Sequence, residues 1–134
     1  MIESKSDLKK YMAEDMSFYH QYERRDRLIL RVIQDPVYQI VRYLRFLRKE
    51  EYYFNTGTDV LGKLLYLYYF RKKNRLGNRL GFKIPKNCFG PGLTIYHHGN
   101  IIVNESARVG ANAVVVKSNP DNAITLAGVP AKLL

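Results

Sequence analysis

The sequence predicts an α+β protein, with a helical domain over residues 1–79 followed by a short β domain with a C-terminal tail over residues 80–134. Three observations carry this. Only two glycines, Gly57 and Gly62, precede Gly77, whereas β-branched residues, glycines and asparagines dominate after Gly81. The first 79 residues hold 17 of the 22 basic groups and 10 of the 12 acidic ones, as solvated helix surfaces do. From residue 83 the chain divides into sixes, KIPKNC, FGPGLT, IYHHGN, IIVNES, ARVGAN and AVVVKS, with aliphatic and small residues recurring in phase. A six-residue period is the pattern of a parallel β-helix, in which each hexad supplies one short strand and one corner. An ordinary sheet with Gly-rich turns fits the period as well.

Four helices are expected, at 5–19, 22–34, 36–54 and 58–75. The third is the most strongly marked. Asp35 is an N-cap residue and Pro36 stands at the first helical position, where its missing N–H costs nothing. Val37, Ile40, Val41, Leu44 and Leu47 recur at spacings of three and four, which makes one apolar stripe. The fourth helix follows Asn55-Thr-Gly-Thr-Asp59, carries Leu61, Leu64, Leu65 and Tyr68, and ends in the basic run Arg71-Lys-Lys-Asn-Arg75. Packing the two stripes against each other gives an antiparallel pair. The basic run then sits at a helix C-terminus, where cations complement the macrodipole.

Composition excludes several classes. Hydrophobic residues are 46% of the chain and aromatics 13%, too many for a disordered basic tail despite the net charge of +10. The longest apolar run, Leu64-Leu-Tyr-Leu-Tyr-Tyr-Phe70, is far shorter than the ~20 residues of a membrane span. The N-terminus lacks a signal peptide's apolar region, and one cysteine, Cys88, makes no internal disulfide, so a cytoplasmic protein is expected. No Cys/His set has zinc-site spacing, so no metal is expected. The basic run lacks interleaved aromatics and any nucleic-acid motif, so no nucleic acid is expected as partner. Cys88 falls at a small inward-facing hexad position and reads as packing. His20, beside Tyr19, Gln21 and Tyr22, reads as a surface or capping residue.

Phe89-Gly-Pro-Gly-Leu-Thr-Ile-Tyr-His97, then Ala107-Arg-Val-Gly-Ala-Asn112, and finally Ala127-Gly-Val-Pro-Ala-Lys132 resemble the hexapeptide-repeat O-acetyltransferases of the serine acetyltransferase type. The helical front half, with Asp35-Pro36 before a long amphipathic helix, is similar to the helical domain of the same family. The resemblance implies a left-handed parallel β-helix, a homotrimer or a multiple of one, and acetyl-CoA held between subunits as acetyl donor. It implies acetyl transfer to a hydroxyl of serine or a sugar, the former a step of cysteine biosynthesis. The chain departs from the family between its repeats: Arg108-Val-Gly-Ala-Asn112 stands where the family has both an upstream and a later Gly-Ala-Asn, so several central turns are missing.

Acetyl transfer from a thioester needs a base for the hydroxyl proton, and imidazole suits it. By the resemblance, His97 matches the catalytic histidine and His98 is its neighbour, on the opposite side of an alternating strand. The resemblance makes Gly110, Ala111, Gly128, Val129 and Pro130 backbone contacts of CoA. Lys117 and Lys132 are the candidates for its phosphates. The family's second histidine and acidic partners belong to the missing turns, and one of its carboxylates aligns with Phe82. Glu105 is the one acid near the block, so weak or absent catalysis is the expectation for the chain alone. A non-catalytic assembly scaffold is the alternative.

Overall fold

The computed structural model describes residues 1–19, 27–112, 114–115, 125–127 and 132–133. Helix α1 spans Lys5–Met16 and runs into a 3-10 turn at Ser17–Tyr19. Helix α2 spans Arg27–Val32, α3 spans Pro36–Thr56 and α4 spans Val60–Leu80. Among the described residues seven short strands follow: β1 (Phe82–Lys83), β2 (Thr94–Ile95), β3 (Ile101–Ile102), β4 (Arg108–Val109), β5 (Val114–Val115), β6 (Thr125–Ala127) and β7 (Lys132–Leu133).

The signals at the start of α3 work as expected. The Asp35 carboxylate accepts from Tyr38 N–H at 2.8 Å, and Pro36 opens the first turn. Ile40, Val41, Leu44 and Leu47 are buried, with Val37 packed beside them. Helix α4 departs from expectation in two ways. It runs on to Leu80 and stops at Gly81, whose φ of 80° is a left-handed conformation that glycine adopts without a Cβ clash. The basic run Arg71–Arg75 therefore lies inside the helix, and only Arg79 occupies the last turn.

The second departure is in its facing. Leu61, Leu64 and Tyr68 are 63%, 59% and 51% exposed, and α4 instead buries Lys73, Leu76, Gly77 and Leu80. Run 64–70 is apolar on nearly every face, so its period cannot choose a side. The antiparallel pair itself forms, but through aromatic contacts. Tyr69 lies 6.3 Å from Phe46 and stacks on Tyr53 at 5.6 Å, and Tyr66 meets Phe54 at 5.6 Å.

The expected left-handed parallel β-helix is not found. The strands are two or three residues long and fall into three small separate sheets, with no closed or solenoid structure among the described residues. β1 pairs with β3, β2 with β5 and β4 with β6, all parallel, while β7 closes the last sheet antiparallel to β6. The parallel pairs Phe82–Ile101, Thr94–Val114 and Arg108–Thr125 join residues whose separations are not multiples of six, so the hexad period does not set their register and no continuous ladder forms. Between residues 84 and 95 much of the backbone bonds to helix side chains instead of to strands. The core joins both halves: Tyr43, Leu44, Leu47, Leu76 and Leu80 pack with Phe82, Ile84, Cys88, Phe89, Leu93 and Ile95.

Candidate functional site

The segment that carries the family-like block is held by polar side chains of the helices. Arg48 of α3 is fully buried and uses all five of its N–H donors. Its Nε and Nη2 form a fork on Asp15 at 2.7 and 3.1 Å, and Nη1 bonds Glu51 at 2.9 Å. The remaining donors reach the carbonyls of Phe89 at 3.0 Å and Gly90 at 2.7 Å. Burial alone would lower the Arg48 pKa, but Glu51 and Asp15 outweigh it and hold the guanidinium above its ordinary value. Asp15 in turn accepts from the Gly92 and Leu93 N–H groups at 2.9 and 2.8 Å, and Glu51 from Asn87 N–H at 2.8 Å.

Two further contacts complete the grip. Tyr19 hydroxyl donates to the Ile95 carbonyl at 2.7 Å and accepts from the Ile95 N–H at 2.9 Å, and burial pushes its pKa up to about 12. Lys73 donates to the Ile84 carbonyl at 3.1 Å and lies 2.6 Å from Glu50, whose pKa burial raises against the pull of that lysine. Tyr43 accepts from Ile84 N–H at 3.3 Å. Backbone groups that would be orphans in a packed loop are thus paired one by one.

Immediately after Ile95 the chain leaves the core. Tyr96 to Asn100 are all exposed, with the Tyr96 ring set edge-on to Phe18 at 5.0 Å. His97 is therefore at the surface. Its Nδ1 lies 3.2 Å from the His98 carbonyl oxygen. A carbonyl only accepts, so this contact is a hydrogen bond when Nδ1 carries a proton. Glu105 is exposed too, and its backbone carbonyl lies 3.7 Å from Cys88 sulfur and 3.0 Å from the Arg108 guanidinium.

It is His98 that borders a cleft, of about 270 Å³, together with Gln34, Pro36, Gln39, Leu76, Arg79 and Leu80. His97 and His98 are thus adjacent in sequence but differently placed. Gly110 and Ala111 are exposed on the turn after β4. Their backbone packs against Gly90, where an added Cβ would come within 2.8 Å of Ala111 N, so that glycine is required by close approach. Lys132 lies in β7, where Lys132 pairs with Ala127. Lys117, Gly128, Val129, Pro130 and His20 lie outside the described residues. Phe82, aligned with a family carboxylate, is buried edge-on against Tyr43 at 5.1 Å.

Cys88 is 1% exposed, and burial raises its thiol pKa, which opposes nucleophilic use. Among the described residues no group of three His, Cys, Asp or Glu side chains could hold a metal, and no helix is long and apolar enough to cross a membrane. The residues that sequence reasoning missed are Asp15, Arg48, Glu50, Glu51 and Lys73. A signal for two of them exists: Arg48 and Glu51 continue the stripe of Leu44 at spacings of four and three. Comparison with protein-family models, with curated proteins and with solved structures finds no match.

Proposed function

We propose that this chain is a cytoplasmic acetyltransferase that moves the acetyl group of acetyl-CoA onto a hydroxyl, of L-serine first and of a sugar second, with His97 as general base. One observation supports it above the others. The block ending at His97 is pinned up to Ile95 by buried side chains, and the imidazole then emerges into solvent with its Nδ1 against a carbonyl. A fixed stem with an accessible imidazole is what a proton acceptor requires. In the reaction, Nε2 takes the hydroxyl proton as the oxygen attacks the thioester carbonyl. The tetrahedral adduct then expels the CoA thiolate, which receives that proton from the imidazolium. Gly110 and Ala111 offer exposed backbone beside the pinned block for the donor. The working form is a homo-oligomer, a trimer or a multiple of it.

The test is thiol release from acetyl-CoA in the presence of L-serine or a sugar acceptor. His97→Ala should lower the rate roughly 10²- to 10⁴-fold, while His98→Ala keeps most of it. Equal rates for the wild type and His97→Ala would remove the catalytic role.

A second reading, a non-catalytic assembly protein, is favoured by the exposed apolar residues Leu28, Ile29, Val32 and Ile33 and by Val60, Leu61, Leu64 and Leu67. Its signature is a stable oligomer in sedimentation with no saturable acetyl-CoA binding by calorimetry.

A further inference from the structure

We infer that the helical half carries a binding site for a diphosphate group, in the groove where α2, α3 and α4 meet. The cleft beside His98 continues into a second one of about 260 Å³, and the two share Gln34, Gln39, Leu76 and Arg79. The second cleft is walled by five cations: Arg31 from α2, Arg42 from α3, and Lys72, Arg75 and Arg79 from α4. The last three are spaced by three and four residues, which places them on one face of that helix.

No carboxylate lines either cleft among the described residues. The ion pairs described elsewhere belong to Arg48 and Lys73, which are buried on other sides of α3 and α4. Among the described residues, two of the groove cations rest on neutral groups. Arg42 donates to the Gln39 amide oxygen at 3.3 Å and lies 5.7 Å over the Phe46 ring, and Lys72 lies 5.4 Å over Tyr68. Such contacts order the cations without neutralising them.

Five like charges converging on one small concavity repel one another unless an anion is present, and self-repulsion is the energy such a ligand relieves. Four of the five are arginines, whose planar forks match phosphate oxygens in pairs. The volume suits a compact polyanion. An extended strand of nucleic acid fits less well, because the charges converge instead of running in a line and Phe46 is the one aromatic in the lining among the described residues. The explanation of Arg71–Arg75 as complement to a helix end does not apply, since α4 continues to Leu80. The site stands independently of acetyl transfer: pyrophosphate and nucleotides carry no acetyl group.

Calorimetry of the full chain at low salt tests it, with inorganic pyrophosphate, ADP and acetyl-CoA as separate probes and a series of single-stranded oligonucleotides as competitors. Saturable one-to-one binding of pyrophosphate is expected. Arg75→Gln and Arg79→Gln, both at exposed positions, should each weaken it about tenfold, which is the scale of one charge-assisted pair. Lys63→Gln, an exposed cation of α4 outside the groove, should leave it unchanged, and circular dichroism confirms that all three variants keep their helices. Tighter binding of ADP than of pyrophosphate identifies a nucleotide as the source of the diphosphate, and tighter binding of acetyl-CoA than of ADP identifies the donor. Absence of saturable binding, binding indifferent to both arginine variants, or affinity that grows with oligonucleotide length beyond that of the small probes would overturn the proposal.

Discussion

Residues 84–95 and residues 96–100 are consecutive, yet they are treated in opposite ways by the helices. In the first stretch Ile84, Asn87, Phe89, Gly90, Gly92, Leu93 and Ile95 each give a backbone group to a helix side chain. In the second every residue is exposed. Apart from Thr94–Ile95 the first stretch lies outside the strands, and its buried backbone groups need partners that no ladder supplies. Polar side chains from Asp15, Tyr19, Tyr43, Arg48, Glu51 and Lys73 serve as those partners. The difference teaches that the helical half does more than bury apolar area: it supplies the hydrogen-bond partners that the short strands cannot.

The largest break in this comparison is expected from Arg48→Ala. It leaves Asp15 and Glu51 as buried charges without their cation and orphans the Phe89 and Gly90 carbonyls. A loss of about 3–5 kcal/mol is expected for removing one member of such a cluster, read as a shifted urea midpoint. A loss below about 1 kcal/mol would mean that the cluster is hydrated.

Tyr19→Phe is a smaller probe of the same region. It keeps the ring and removes only the hydroxyl that pairs both groups of Ile95, at an expected cost of about 1–3 kcal/mol. Amide exchange at Ile95 should quicken with it, and unchanged exchange would show that the bond is dispensable. Least of all is expected from His97→Ala, in the exposed stretch, where stability should stay within about 0.5 kcal/mol of wild type. A larger loss would give the imidazole a structural duty and blur any loss of activity.

How much of this could be read from the sequence differs along the chain. The start of α3 was legible because Asp35 and Pro36 act locally, through bonds that close within one turn. The facing of α4 was not, because Leu64 to Phe70 offers apolar surface in every direction and tertiary aromatic pairs decide the outcome. The hexad phase correctly marks Cys88 as inward, yet period alone does not say whether backbone groups pair with strands or with side chains. Asp15 and Gly92 are 77 residues apart, and no local rule links them. Of the site, alternation along the chain made it legible that His97 and His98 face different ways, but not that His98 is the one at the cleft rim. The groove cations were visible as charge, while the length of α4 that makes Arg75 and Arg79 neighbours was not.

The clamp on residues 84–95 also bears on the order in which this chain can be made. Ribosomes release the helices first, and α3 with α4 can pair through contacts close in sequence, which form quickly. Asp15, Arg48 and Glu51 are then waiting when the glycine-rich segment emerges. Synthesised alone, residues 80–134 would meet no such template and would carry open backbone donors and acceptors into solution, where a neighbouring copy is the nearest substitute.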